Sequence, residues 1–150
     1  MVLAQPNRFW WQTADPFAQL LVSNGKQLWI YDEDLEQVTV QTLDPSTTAT
    51  PALLLSGNST NIEAEFDVVM QRGSDDLVLY QLKPKNPESL YQALRLNFKN
   101  NQLLEMQLED TMHQKTSLIF SNMVLNPQIE DHLFEFTIPE GADVLQMDRL

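Results

Sequence analysis

Two acidic stretches of the sequence carry side chains that could bind a metal ion. The run Asp32-Glu33-Asp34 offers carboxylates suited to calcium, but no glycine-centred loop of about twelve residues follows it. Glu130-Asp131-His132 offers half of a metal site, yet the chain has only two histidines, His113 and His132, and lacks His-Glu-x-x-His spacing. These patterns favour a solvated turn at the first stretch and predict no metal site at the second.

The sequence does not support a catalytic nucleophile either. Ser56 precedes a glycine but lacks the Gly-x-Ser-x-Gly pattern of a nucleophile elbow. The four glycines form no glycine-rich phosphate loop, and the absence of cysteine excludes thiol catalysis, disulfides and cysteine-based metal sites. The sequence therefore predicts a protein that is not an enzyme and that holds no metal or cofactor, which leaves binding as the function to explain.

Composition narrows the class of binding partner. The 150 residues suit a single domain, and 43% apolar residues is ordinary for a globular protein. The net charge of −12, from 9 basic and 21 acidic residues, argues against nucleic acid and anionic membrane surfaces as partners, since both require a positive face. No apolar run approaches the ~20 residues that span a bilayer.

The aromatic and apolar residues between positions 9 and 41 must be positioned by strands. FWWQT, FAQLLVS, KQLWIYD and EQVTVQT read as four successive strands, and Asn24-Gly25 predicts a hairpin with a type I′ turn. Strand alternation places Phe9 and Trp11 on one face of the first strand and Trp10 on the other. Both faces of the third strand carry apolar groups, so we expect this sheet to be covered on both sides.

A short apolar helix is predicted after these strands. Thr50 has the residue type of an N-cap, Pro51 suits the first helical position, and the apolar run 52–55 continues until Gly57-Asn58. Residues 43–50 are rich in Thr, Ser, Asp and Pro and predict a loop. Because a helix of this length is not stable alone in water, it must pack on the sheet.

The remaining elements complete the predicted fold class. Strands are predicted at 65–72, 77–83, 89–99, 103–108, 116–124 and 132–138, with a helical alternative for the first half of 89–99. Turns are predicted at 73–76, 100–101 and 110–113, and 139–144 is predicted as a tail. About nine short strands and one or two helices favour a mainly β fold. We expect an antiparallel, strongly curved sheet or half-open barrel, with the short helices covering its concave face.

Two motifs make the chain similar to a known family. The first is Pro6 followed by Phe9-Trp10-Trp11, and the second is LLVSNGKQLWIYDEDLEQVTVQ, from Leu20 to Gln41. Further matches are Gln114-x-Thr116-x-x-x-Phe120-x-Asn122, Asn126, Phe134-x-Phe136 and Pro139-x-Gly141-x-Asp143-Val144. Together these motifs run from Pro6 to Val144 and resemble the outer-membrane lipoprotein carrier proteins of Gram-negative bacteria, the LolA family.

The chain departs from the pattern of that family in four places. Asn24 stands where aspartate is usual, and Met112-His113 replaces a hairpin glycine, so a slightly longer or less regular turn is expected there. Gln5 stands where the resemblance implies an arginine that holds the covering helices shut, and a neutral amide lacks the charge-assisted donor fork of arginine. The chain also begins just before the first motif, without the family's signal peptide, N-terminal helix and first strands. We therefore expect an N-terminally truncated domain with an open sheet edge.

The resemblance implies a function, partners and a location. The expected function is a periplasmic carrier that binds the acyl chains of lipoproteins in a hydrophobic cavity and transfers them from the inner to the outer membrane. The implied partners are acylated lipoproteins, the inner-membrane lipoprotein-releasing ABC transporter and the outer-membrane lipoprotein receptor. A monomer is expected, with dimerisation through the open sheet edge as the alternative. The alternative function is a regulatory or scaffold domain of the same fold that binds a protein or lipid signal.

The predicted lipid-binding residues come from three sources. Phe9 and Trp11 share a strand face and belong to the family motif. Strand alternation adds Leu20, Val22, Leu28 and Ile30, and the predicted helix adds Leu53 and Leu54 as contacts of a movable cover. Apolar side chains of this kind suit an acyl chain, since each buried methylene contributes roughly 0.8 kcal/mol relative to water.

Overall fold

A computed structural model describes residues 1–43, 51–57 and 62–147. It contains two compact units, one made of Met1–Asn58 with Gln128–Leu150 and the other of Ser59–Pro127. Each unit is built on its own hydrogen-bonded sheet. That the whole chain is a single domain stays a prediction.

The first unit holds a six-stranded sheet with the order β1-β2-β3-β4-β5-β11. Its strands are β1 (Val2–Ala4), β2 (Arg8–Thr13), β3 (Gln19–Asn24), β4 (Gln27–Asp32), β5 (Gln37–Thr42) and β11 (Asp143–Met147). Neighbouring strands from β1 to β5 are antiparallel, as expected of strands joined by short turns. Strand β11 returns from the far end of the chain and pairs parallel to β5.

The predicted hairpin at Asn24-Gly25 is confirmed, but its turn is not of the predicted type I′. Only Gly25 has a positive φ, of 89°, whereas a type I′ turn would require a positive φ at both central residues. Asn24 acts instead through its side chain, because Oδ1 accepts hydrogen bonds from the backbone N–H groups of Lys26 and Gln27, both at 2.9 Å. An aspartate could accept the same two bonds, so the exchange for asparagine preserves the turn.

The predicted apolar helix is present as α1 (Pro51–Ser56). It packs against β1 and β2, and its last residue accepts a hydrogen bond from the backbone N–H of Asn7 at 2.8 Å. The Ser56 hydroxyl donates to the Ala52 carbonyl oxygen at 2.6 Å, so the polar group at this buried position is satisfied within the helix. The predicted N-cap Thr50, most of the preceding loop and Asn58 lie outside the described residues.

The second unit holds a five-stranded antiparallel sheet with the order β10-β9-β8-β7-β6. Its strands are β6 (Phe66–Arg72), β7 (Leu77–Pro84), β8 (Tyr91–Lys99), β9 (Gln102–Asp110) and β10 (Lys115–Ile119), and a single-turn helix, α2 (Ile62–Glu65), precedes them. The predicted two-residue turn Asn100-Asn101 is confirmed, with φ values of 49° and 62°. Asparagine tolerates this left-handed conformation better than most residues.

The irregular turn expected at Met112-His113 is also confirmed. Asp110 pairs with Gln114 through its backbone N–H at 3.0 Å, which leaves a three-residue loop between them. His113 takes the left-handed position of that loop, with a φ of 64°, where glycine would be the easiest residue. The Asp110 side chain accepts hydrogen bonds from the backbone N–H groups of Met112 and Gln114, at 2.8 and 2.9 Å, and stabilises the turn.

Some predicted elements are wrong. The helical alternative for the first half of 89–99 does not form, and the strand predicted over 116–124 ends at Ile119. Positive φ values at Asn122 and Asn126 end the extended conformation after it. The strand predicted over 132–138 is replaced by a 3-10 helix, Asp131–Phe134, which buries Phe134 against β2 and β3.

Two strands were missed for a common reason. β1 has three residues, and all five residues of β11 are exposed, so neither carries the apolar alternation that marks a half-buried strand. The fold class is nevertheless confirmed, since the chain is mainly β, mostly antiparallel, and has few short helices. Among the described residues, no helix reaches the length and apolar character needed to cross a bilayer.

Candidate functional site

One face of the first sheet carries a closed apolar cluster under α1. Phe9 and Leu28 are fully buried there, together with Leu43 from the end of β5 and Ala52 and Leu53 from α1. The partly buried side chains packed against this cluster are Leu3, Trp11, Leu21 and Ile30. We call this the α1 cluster. Since α1 already occupies the face, a ligand reaches Phe9 or Leu28 only when α1 moves.

The opposite face of the same sheet carries a second apolar cluster. Its buried residues are Val22, Trp29, Val38 and Val40, and the partly buried residues packed on it are Trp10, Leu20, Tyr31, Phe136 and Ala142. The C-terminal segment closes it, with the Phe136 and Tyr31 rings 5.8 Å apart between centroids. Both sheet faces are therefore covered, as predicted.

The eight predicted lipid-binding residues lie on both faces of the first sheet and on α1. Phe9, Trp11, Leu28, Ile30 and Leu53 meet in the α1 cluster, and Leu54 lies half-buried on the same helix. Leu20 and Val22 lie on the opposite face, because β3 places them beside Gln12 and Trp10 rather than beside Trp11 and Phe9. Alternation along a strand shows which residues share a face, but it does not show which of the two faces contacts a ligand.

The second unit contains an open apolar groove that lies over one face of its sheet. The groove has a volume of about 580 Å³ and is lined by Ile62, Glu63, Val68, Val78, Tyr80, Leu82, Leu96, Phe98 and Asn101. The strand register places the six strand residues of this lining on one face, and the Tyr80 and Phe98 rings meet edge to face at 5.6 Å. This volume lies within the range of small-molecule pockets, ~300–1,000 Å³.

The groove retains more exposed apolar surface than the α1 cluster does. Val68 keeps 38% of its surface exposed, and Met70, on the same face of β6, keeps 48%. Burying such surface against an apolar ligand is favourable by roughly 25 cal/mol per Å² removed from water. The groove is therefore a better candidate than the α1 cluster for capturing an apolar ligand without prior rearrangement.

Lys85 fixes the helix at one end of the groove. Its Nζ donates to the Glu63 carbonyl oxygen at 2.7 Å, and its backbone N–H donates to the Glu65 carbonyl oxygen at 2.9 Å. The same Nζ lies 4.0 Å from the carboxylate of Asp67. Burial raises the pKa of the neighbouring Glu65 above its ordinary value. The two hydrogen bonds from Lys85 hold α2 beside the groove.

The opposite face of the second sheet is polar. The Glu109 carboxylate accepts hydrogen bonds from His113 Nδ1 at 3.1 Å and Gln92 Nε2 at 2.7 Å, and it lies 3.5 Å from the Arg95 guanidinium. These bonds, with His113 contributing most, hold the pKa of Glu109 below its ordinary value. Because this face of the sheet is polar, the groove is on the side suited to an apolar ligand.

The groove residues were not among the predicted lipid-binding residues, although their alternation was visible in the sequence. The alternation predicted for 77–83 places Val78, Tyr80 and Leu82 on one face, as observed. What the sequence lacks is any sign that this face stays open rather than covered. Over the part of the chain that the structure describes, no group of three His, Asp or Glu side chains could hold a metal ion.

Comparisons with known proteins agree on one family. A family model described as the outer membrane lipoprotein carrier protein LolA matches residues 1–137. A protein of Azotobacter vinelandii named outer-membrane lipoprotein carrier protein is 44% identical over 146 residues, which cover 97% of this chain and 70% of that protein. Proteins of the same name from Pseudomonas paraeruginosa and Hahella chejuensis are 42% and 43% identical, over 96% and 95% of this chain and 69% and 68% of theirs.

Proposed function

The chain belongs to the family of outer-membrane lipoprotein carrier proteins, LolA, and from this membership we propose that it binds the acyl chains of lipoproteins. In this proposal the chain acts in the periplasm and carries lipoproteins from the inner to the outer membrane without catalysing a reaction. The observation that best supports acyl binding is the open apolar groove over β6, β7 and β8.

The energetics favour capture followed by release. An acyl chain in water gains roughly 0.8 kcal/mol for each methylene that moves into an apolar enclosure. Transfer between two apolar environments is nearly balanced, so a carrier can receive and release its cargo without chemistry. The contacts predicted at Phe9, Trp11, Leu28, Ile30, Leu53 and Leu54 belong to the same proposal, for a state in which α1 has moved away.

The partners follow from the same role. A carrier that starts at the inner membrane requires a donor, which we propose is the inner-membrane lipoprotein-releasing ABC transporter. Delivery requires an acceptor, which we propose is the outer-membrane lipoprotein receptor. The net charge of −12 supports transfer to a protein acceptor rather than direct adsorption to an anionic lipid surface.

Two variants on neighbouring positions of β6 test the groove directly. Val68 lines the groove, whereas Val69 is 53% exposed on the opposite, polar face. Displacement of a fluorescent apolar probe is measured with a lipopeptide and with the same peptide lacking its acyl chains. We expect the lipopeptide alone to displace the probe, Val68→Asp to weaken its binding at least tenfold, and Val69→Asp to leave it unchanged, because only the first carboxylate must be desolvated by the ligand.

The outcomes separate the competing functions. Displacement by both the acylated and the unacylated peptide would support a peptide-binding regulatory domain instead. Equal weakening by the two variants would remove the groove from the site, since the neighbouring position outside it would then matter as much. Circular dichroism of both variants checks that the fold is preserved.

A further inference from the structure

Gln41 leaves a buried polar atom without a partner. It lies on β5 directly opposite Leu28 and two residues before Leu43, so it shares the sheet face of the α1 cluster. Only 9% of Gln41 is exposed, and its Oε1 is buried and has no hydrogen-bond partner among the described residues. Buried polar side-chain atoms are hydrogen-bonded in the large majority of cases, so this oxygen calls for an explanation.

The contact at the other end of the amide fixes which atom is unpaired. Nε2 of Gln41 donates to the sulfur of Met147 at 3.3 Å. A thioether sulfur accepts hydrogen bonds weakly and cannot donate one, so the nitrogen end of the amide belongs on that side. The oxygen therefore faces away from Met147 and requires a donor.

Among the N–H donors of the proposed cargo, one is attached directly to an acyl chain. Acyl chains joined through esters carry no N–H group, whereas a chain joined through an amide to the N-terminus of a lipoprotein does. Resting on the proposed function, we infer that Gln41 accepts a hydrogen bond from the amide N–H that joins an acyl chain to its cargo. Because Oε1 is enclosed here, the bond forms in a state where the segments covering this face have moved.

This inference makes Gln41 a specificity-determining residue. In an apolar enclosure an amide costs more to desolvate than an ester, so a site without an acceptor favours the ester. Oε1 offsets that cost, because the oxygen and the amide N–H each gain the partner that they lack. The carrier should then prefer amide-linked over ester-linked chains of the same length.

A matched pair of small lipids tests this preference. N-methylhexadecanamide and methyl hexadecanoate differ only in an N–H group against an oxygen atom. In probe displacement, we expect the wild-type chain to bind the amide on the order of tenfold more tightly than the ester. Gln41→Met, which keeps the shape but removes the acceptor, should bring the ratio to one or below.

A second variant and a stability measurement complete the test. Gln37→Met alters the same strand and the same face at a half-buried position and should keep the wild-type ratio. Gln41→Met should also raise the melting temperature, because it removes an unpaired buried oxygen. Equal wild-type affinity for the two lipids, or an unchanged ratio in Gln41→Met, would overturn the inference while the proposed function stood. Failure of both lipids to displace the probe would overturn the two together.

Discussion

Phe9 shows how one residue can belong to a family motif and still be inaccessible. Phe9 is completely buried, in one cluster with Leu28 of β4 and Leu53 of α1. A glutamate at this position would place a carboxylate among apolar side chains. This would prevent folding unless the carboxyl group were neutral or paired. Loss of lipid binding in Phe9→Glu would therefore reflect loss of the fold.

A truncation of the ring measures the role of Phe9 in stability. We expect Phe9→Ala to lower the free energy of unfolding by about 3–5 kcal/mol, because it leaves a cavity in the α1 cluster. Phe17→Ala is the matched control, since Phe17 is 79% exposed, and should change stability by less than about 0.5 kcal/mol. Urea denaturation at neutral pH measures both. Similar values for the two variants would mean that the α1 cluster does not support the fold.

The positions of the turns were predicted correctly, but the interactions that form them were not always the predicted ones. Asn100 and Asn101 both take the left-handed conformation that their types predict. Asn24 does not, because its side chain caps the turn and its Nδ2 also donates to the Glu135 carboxylate at 3.3 Å. That partner is more than a hundred residues away in the sequence, so no local pattern could predict the contact.

At the scale of elements, sequence patterns predicted the nine other strands among the described residues and missed β1, which has three residues, and β11, whose five residues are all exposed. β4 and β7 are rich in apolar side chains, most of them buried or half-buried, and both strands were located within a residue or two. β11 exists because β5 offers a free edge, and its own side chains stay exposed. Residues 132–138 were predicted as a strand from their apolar alternation. The 3-10 helix forms there instead and buries Phe134 against the sheet within a single turn.

Arg8 joins that 3-10 helix to the first sheet, and its contacts differ in value. The guanidinium lies 5.3 Å from the centre of the Phe134 ring, donates to the Gln5 carbonyl oxygen at 3.0 Å, and pairs with Asp131 at 3.3 Å. Asp131 is 96% exposed, so its ion pair is expected to contribute little. The contact with the ring and the bond to the carbonyl oxygen should dominate.

Two variants separate these contributions to the docking of the 3-10 helix. We expect Arg8→Ala to lower the free energy of unfolding by about 1–2 kcal/mol and Asp131→Asn by less than about 0.5 kcal/mol. Both are measured by urea denaturation, with salt added to one series to screen the ion pair. If Asp131→Asn were as costly as Arg8→Ala, the ion pair rather than the ring contact would hold the helix.

For the whole molecule, the sequence identified the family, whereas its predicted lipid-binding residues stay a prediction. The motifs that carry the family resemblance lie mainly in the first unit, where both sheet faces are closed by packing. The open groove lies in the second unit, whose residues match the family less conspicuously. Whether a face is covered depends on how elements pack, and alternation along a strand contains no information about that.

Two carboxylates should give the stability of the whole molecule opposite dependences on pH. The pKa of Glu109 is lowered in the folded state, chiefly by its bond with His113, so its contribution is complete above the ordinary carboxyl pKa of about 4.3 and is lost as pH falls through the lower folded value. Burial raises the pKa of Glu65, so its ionisation opposes folding once pH exceeds the ordinary value.

Glutamine variants at these two positions should therefore behave in opposite ways. We expect Glu109→Gln to be less stable than wild type at pH 7, with the difference shrinking as the pH falls and the wild-type carboxylate takes up a proton. Glu65→Gln should be slightly more stable than wild type at pH 7, with that difference also vanishing toward pH 3. Urea denaturation at several pH values between 3 and 7 measures both curves. A difference that stays constant with pH for either variant would show that the ionisation of that side chain is not linked to folding.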